Sequence, residues 1–423
     1  MHSALSTLGR RTAEPAISWL MQTTLSRPDL VSLAAGFTDN PSLPLLETRE
    51  IVDELLASPK SGQAALQYGS TSGDPELCEQ TATRLNRLDR PAGGAPGITA
   101  GNLIITHGSQ QLLYLTLEAL CDPGDIVIVE DPTYFVFLGI TQSHGVHCRG
   151  VQLSPDGVDL ADLERVLEGL KQAGDLPRLK ALYLVTYHQN PSGRTTTLER
   201  KQAALKLLKR YEKTAGHRLY LIEDAAYREL RFAGDDIPSA LTCDAAGDRV
   251  IYAGTYSKPF ATGIRAGFGV LPEPLLTAVR RIKGNHDFGT VNFAQRILAR
   301  ALTTGRFDRH LTALQQRYAR KSARMVAAIR RYFPATVEWE VPTGGLYVWA
   351  SLPARQRTGR TSRCFKASLE RGVLYVPGGL CYADDPSRPL PDHQMRLSFG
   401  GASETAITTG IERLGSVLQE LSR

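Results

Sequence analysis

Residues 219–258 read LYLIEDAAYRELRFAGDDIPSALTCDAAGDRVIYAGTYSK. Two apolar runs in this stretch end on polar, chemistry-bearing residues. Leu219 to Ile222 runs into Glu223 and Asp224, and Val250 to Ala253 leads through Thr255, Tyr256 and Ser257 to Lys258. Runs this continuous suit strands buried on both faces. The same unit recurs outward from this stretch, at Leu103 to Ile105, Ile126 to Val129, Ala181 to Val185 and Phe268 to Leu271. Helix-like segments such as Gln110 to Leu120 and Thr197 to Lys213 lie between them. The alternation reads as an α/β fold, a largely parallel sheet covered by helices.

After about Asn292 the texture changes. A long amphipathic stretch from Phe307 to Tyr332 precedes short strand-like pieces at Val337 to Glu340, Gly345 to Trp349, Gly372 to Val376 and Met395 to Ser398, and a final helix from Glu404. We expect an arm over residues 1–47 that joins a smaller α+β domain at 291–423, with the large domain at 48–290 between them. Pro91 to Gly101 reads as an exposed loop. The 423 residues are enough for two or three domains at ~150 residues each.

Composition excludes several classes. Hydrophobic residues at 42 % and charged residues at 22 % place the chain among globular proteins. Lys and Arg exceed Asp and Glu by 49 − 43 = 6, spread along the chain, which gives little support to nucleic-acid binding. The six cysteines form no C-x-x-C pair, so zinc and dithiol chemistry are not indicated, and we expect reduced thiols in a cytoplasmic protein. No apolar stretch approaches ~18 residues, and Met1 to Arg11 lacks a hydrophobic segment. Membrane insertion and export are not expected.

Polar residues gather where the expected strands end: Gly108-Ser109-Gln110, Tyr134, Asn190, Asp224, Tyr227, Lys258 and Arg265, with Arg396 in the later domain. In open α/β sheets that is where ligands sit. One cofactor would use all of them. A lysine beyond a strand can form an imine with an aldehyde, and pyridoxal phosphate supplies one. A turn opening a helix can hold its phosphate through backbone N–H groups, aided by the Arg265 guanidinium and the Thr255 hydroxyl. Asp224 can pair with the pyridine nitrogen. Tyr227 and Asn190 can bond the ring oxygen, and Tyr134 offers a flat face to the ring. Singly each residue has a plainer reading: Asp224 as a helix N-cap, Arg396 as a structural ion pair, the tyrosines as core aromatics.

The chain resembles the class I/II aminotransferases of pyridoxal-phosphate fold type I, in particular the branch with 2-aminoadipate and kynurenine aminotransferases. The resemblance rests on VSLAAGF, LQYGSTSG, THGSQQLLYL, VEDPTYF, HQNPSGRT, IEDAAY, GTYSKPFATGIRAG, PTGGLYVW and MRLSFG, in family order over about residues 30–400. It implies a mostly parallel seven-stranded sheet sandwiched by helices, plus a smaller α+β domain. It makes Lys258 the imine-forming lysine and the acid/base between substrate Cα and cofactor. Arg396 becomes the clamp on the substrate carboxylate, with Asn190 and Gly36 beside it, and Ser257 joins the cofactor-binding set. The implied assembly is a homodimer in which Tyr68 reaches the neighbour's phosphate. The implied reaction moves the amino group of an L-amino acid to a 2-oxo acid by a ping-pong mechanism.

Three positions depart from the family pattern: Ala35 where a second Gly is usual, Thr262 where Pro is, and His188 where a small or apolar residue is. They keep open another pyridoxal-phosphate reaction, β-elimination or oxygen-dependent deamination. His188 itself reads more readily as structural. A ligand-sensing module is a remote alternative, because only about thirty residues precede the core motifs. In aminoadipate-type relatives an arginine that can read a distal carboxylate stands eight residues before the arginine of the Arg27-Pro28 pair. Here that place is Trp19, and with Met21 it points to an apolar or aromatic substrate side chain, or to broad specificity.

Overall fold

The computed structural model describes residues 4–27, 29–90 and 97–422. Pro28 and residues 91–96 of the expected loop lie outside the described residues, as do residues 1–3. In chain order the strands are β1 (Val31–Ser32), β2 (Leu103–Thr106), β3 (Ile126–Asp131), β4 (His147–Ser154), β5 (Gly157–Val158), β6 (Leu179–Val185) and β7 (Tyr220–Asp224). Then follow β8 (Val250–Thr255), β9 (Gly267–Val270), β10 (Glu338–Trp339), β11 (Tyr347–Ser351), β12 (Val373–Leu374), β13 (Val376–Pro377) and β14 (Gln394–Ser398).

The large sheet has the order β2-β9-β8-β7-β6-β3-β4-β5. Its central pairs, β8 with β7, β7 with β6, β6 with β3 and β3 with β4, are parallel. Alternate residues of β3 enter opposite cores. Val127 and Val129 pack with Leu112, Phe137 and Val279 on one face, and Ile126 and Ile128 with Leu163, Leu167 and Leu208 on the other. That double burial is why the central strands are apolar throughout. Seven strands make the expected sheet, and the two-residue β5 adds an eighth by turning back antiparallel on β4. β4 has no continuous apolar run, because near the edge it buries only some of its positions.

Helices on the far face start on side-chain caps. Asp159 accepts from Asp162 N–H before Leu160–Ala173, and Thr197 from Arg200 N–H before Leu198–Ala215; both helices stop at left-handed glycines, Gly174 and Gly216. The second unit carries an antiparallel sheet, β10-β11-β14-β13. The arm joins it through parallel pairing of β1 with β12 and a bond from Ser398 N–H to Leu33 O at 2.7 Å. The amphipathic helix Arg306–Tyr332 serves both cores. Phe307 and Leu311 pack near β2 and β9, whereas Leu314, Tyr318, Met325 and Ile329 enter the second unit. One continuous helix thus links the two cores. No helix among the described residues is long and apolar enough to cross a membrane.

Candidate active site

The strands β2, β3, β6, β7 and β8 deliver their carboxyl ends to one rim, with Gly108 after β2, Tyr134 after β3, Asn190 after β6, Asp224 closing β7 and Lys258 after β8. β9 runs antiparallel to both neighbours, so its amino end meets the same rim and brings Arg265. β14 of the second sheet supplies Arg396. These residues, with Gly36, Ser109, Gln110, Tyr227, Thr255 and Ser257, line one cavity of about 280 Å³. Among the described residues that line it, the charged side chains are Asp224, Lys258, Arg265 and Arg396.

Lys258 Nζ donates to Gly36 O at 2.8 Å. Burial pulls its amine down to about 8, and the Arg396 and Arg265 guanidiniums push the same way. A substantial neutral fraction near neutral pH is what a nucleophilic amine needs. Asp224 is buried; its Oδ2 accepts from Tyr183 Oη at 2.8 Å and its Oδ1 from Ala226 N–H at 3.1 Å. Burial raises its carboxyl to about 6 despite those two donors. A cationic partner there would stabilise the charged form. Tyr183 is held by stacking on Phe137, with ring centroids 3.7 Å apart.

Arg396 is buried, with Nη1 on Asn190 Oδ1 at 2.7 Å and Nη2 on Ala34 O at 2.6 Å. Its guanidinium lies 4.3 Å from the Tyr347 ring centroid. Tyr347 Oη is 2.9 Å from Tyr227 Oη. Tyr347 lines the cavity; in the sequence it reads as one more aromatic in a buried strand. Phe135, Phe37 and Val136 line the cavity as well.

The residues present fit pyridoxal phosphate. Ser257 Oγ lines the cavity and is buried with no hydrogen-bond partner in the protein, an acceptor or donor that a bound phosphate would satisfy. The helix Gly108–Leu120 starts without a side-chain cap, leaving its first N–H groups facing the cavity at the positive end of the dipole. The cradle is close-packed. A Cβ on Gly267 would sit 2.4 Å from Ser109 N, and one on Gly108 would sit 3.1 Å from Arg265 Nη2. Arg265 itself has φ 49, a left-handed conformation that costs a non-glycine residue energy and is concentrated at functional sites.

Other expected residues fall elsewhere. Tyr68 is 83 % exposed, lies against Phe288 at a centroid distance of 5.4 Å and does not line its own chain's cavity. His188 is buried against the Gly344-Gly345 turn, outside the cavity lining, and burial lowers its imidazole to about 4. Thr262 lines the cavity, while Ala35 faces a separate groove. Trp19 is turned away, under Arg360 at 3.9 Å and against Phe365 at 5.8 Å. Ile17 and Met21 line the cavity instead. They are four apart on the helix Ala16–Ser26 and share a face, from which a residue two positions along is turned by about 200°.

Comparison with known proteins places the chain in a family. The profile of the family described as aminotransferase class I and II matches residues 28–414. The chain is 31% identical over 393 residues to aromatic-amino-acid aminotransferase 1 of Thermococcus litoralis, covering 93% of this chain and 88% of that one. It is 30% identical over 397 residues to the 2-aminoadipate transaminase of Thermus thermophilus, covering 93% and 91%. A solved kynurenine aminotransferase of Pyrococcus horikoshii superposes with a TM-score of 0.88 at 29% identity, covering 99% of this chain and 98% of that chain. The chain belongs to the class I and II aminotransferases and is a pyridoxal-phosphate-dependent transaminase of fold type I.

Proposed function

We propose that this enzyme transfers the amino group of an apolar or aromatic L-amino acid to a 2-oxo acid by a ping-pong mechanism, using the residues of the cavity in the following roles. The observation that carries the reading is the convergence of Lys258, Asp224 and Arg396 on one cavity. The amino acid's carboxylate takes the fork of Arg396, whose plane matches it, with Asn190 and Gly36 closing the same pocket. Lys258 removes the proton at the substrate Cα and returns it on the cofactor side.

When bound, pyridoxal phosphate supplies the aldehyde that receives the amino group and a conjugated ring that accepts the electrons freed at Cα. Gly108, Ser109 and Gln110 would hold its phosphate with Thr255, Ser257 and Arg265. Asp224 would keep the ring nitrogen protonated, Tyr227 and Asn190 would donate to the ring oxygen, and Tyr134 would offer its face to the ring. Tyr227 is itself tied to Tyr347, so the two hydroxyls and the Arg396 guanidinium form one connected layer.

Side-chain preference follows from the mouth of the cavity, where Ile17, Met21, Phe37 and Val136 stand. Arg265 belongs to the phosphate end, which leaves no further arginine for a distal carboxylate among the described residues that line the cavity. Tyr68 supports a homodimer with shared active sites: it is exposed, with Leu66, Phe288 and Val291 also presenting apolar surface, at 70%, 57% and 53% exposure. A cytoplasmic location rests on the six dispersed cysteines, which form no C-x-x-C pair. Small amino and oxo acids are the partners, with no nucleic acid. Ranking kcat/KM over a donor panel tests the preference. Phenylalanine, leucine or kynurenine should lead glutamate and aminoadipate, and Met21→Arg should shift the order toward the dicarboxylates; a dicarboxylate preference in the unmodified enzyme would refute the reading.

A further inference from the structure

Outside the cavity lining, four polar side chains converge behind the turn that opens the helix Gly108–Leu120. Asp287 Oδ2 accepts from Gln111 Nε2 at 2.7 Å and lies 3.2 Å from His107 Nδ1, while Asp287 Oδ1 accepts from Lys283 Nζ at 2.7 Å. The Lys283 side chain is fully buried and that of Asp287 is 14 % exposed. None of the four lines the cavity.

What they hold is His107, the residue preceding Gly108, through its N–H and its ring. His107 N–H donates to Gln111 Oε1 at 2.8 Å, and Arg265 Nη2 reaches His107 O at 3.4 Å. Asp287 decides which way the Gln111 amide faces. With Nε2 on the carboxylate, Oε1 is left for His107 N–H. The same carboxylate fixes the His107 ring, so one residue sets both the backbone and the side chain at the entry to the cradle. Lys283 completes the arrangement by neutralising a carboxylate that would otherwise oppose a phosphate dianion nearby.

We propose that Asp287 is a positioning residue for the phosphate of the cofactor, acting through Gln111 and His107. The inference rests on reading Gly108, Ser109 and Gln110 as the phosphate cradle, and it assigns a function to a buried Lys–Asp pair that the reaction itself does not use. Preorganised backbone donors lose affinity when their supports are removed, because the ligand must then order them.

The test compares two ligands that differ only in the phosphate. Pyridoxal phosphate and pyridoxal are titrated against the full chain stripped of cofactor, following the visible band formed with Lys258. Asp287→Ala, Gln111→Leu and the pair Lys283→Met/Asp287→Leu should each weaken pyridoxal phosphate about tenfold or more and leave pyridoxal nearly unchanged. A merely structural role would weaken both ligands by one factor, and that result, or no loss in any variant, overturns the proposal. The paired variant leaves no buried lysine unpartnered, and Gln111→Leu decides the matter if the Asp287 variants do not fold. Arg265→Ala provides the control: if it leaves the preference for the phosphorylated ligand intact, the cradle reading itself fails, whereas loss there with none at Asp287 removes only this inference.

Discussion

Arg396 and Asn190 are 206 residues apart in the chain, yet Arg396 Nη1 donates to Asn190 Oδ1 at 2.7 Å. With Nη2 on Ala34 O, the guanidinium joins the arm, the carboxyl end of β6 and the second sheet at one point. Arg396→Ala should lower kcat/KM for amino acids ~100-fold or more, from two charged hydrogen bonds of about 1.5–3 kcal/mol each. Cofactor affinity should change only a few-fold. Equal losses in steady-state kinetics and cofactor titration would contradict the assignment.

Lys258 is the amine of the site, drawn down to about 8. In the cofactor-free chain, the rate of reaction with pyridoxal phosphate should rise with pH and level above about 8, because only the neutral amine attacks. Stopped-flow absorbance across pH checks this. A rate still climbing steeply well above that point would contradict the stated environment. Lys258→Ala should abolish the visible band formed with the protein lysine and cut turnover at least ~1000-fold; an unchanged spectrum would refute the assignment.

Glu130 is fully buried at the end of β3, with Oε2 accepting from Gln189 Nε2 at 2.6 Å and Val185 N–H at 3.0 Å. Burial raises its carboxyl from 4.5 to about 8, and the nearby Asp224 charge adds to the rise. The folded chain thus keeps a proton that the unfolded chain gives up, so this group's contribution to stability falls as pH rises through the interval from 4.5 to about 8. The slope reaches at most ~1.4 kcal/mol per pH unit for one proton. Glu130→Gln should flatten the decline of unfolding free energy of the cofactor-free protein between those limits. A variant with the parental slope would show that Glu130 is ionised in the fold.

Gly36 has no room for a side chain. A Cβ there would lie 2.7 Å from Tyr347 Oη, with nothing else on that ring closer than 3.8 Å. Gly36→Ala should cost about 1–3 kcal/mol, and the cost should shrink in a Tyr347→Phe background, where the offending oxygen is gone. Thermal unfolding of the four proteins in the cycle measures the coupling. Additive effects would mean that the backbone at Gly36 moves freely.

Much of this architecture is legible in the sequence because strands buried on both faces have to be apolar throughout. β4 escapes that reading, since the edge of the sheet tolerates His147, Arg149 and Gln152. The site was legible where chemistry demands a residue type at a strand end, as at Asp224, Lys258 and Arg265. Tyr183 and Tyr347 are hidden inside apolar strands, where a hydroxyl that bonds Asp224, as in Tyr183, or faces the cavity, as in Tyr347, cannot be told from a core aromatic. Trp19 shows the converse: matching positions without helical phase selects a residue on the wrong side of its helix. Asp287 was invisible because its partners His107 and Gln111 belong to a motif whose neighbouring residues explained it.

The most direct test of the account is a visible absorbance scan of the purified enzyme, loaded with pyridoxal phosphate, before and after an apolar or aromatic amino acid is added with no oxo acid present. Stoichiometric conversion to the pyridoxamine form, reversed by a 2-oxo acid, is the predicted result. Catalytic release of ammonia or consumption of oxygen without an acceptor, or a spectrum that does not move with any amino acid, would contradict it.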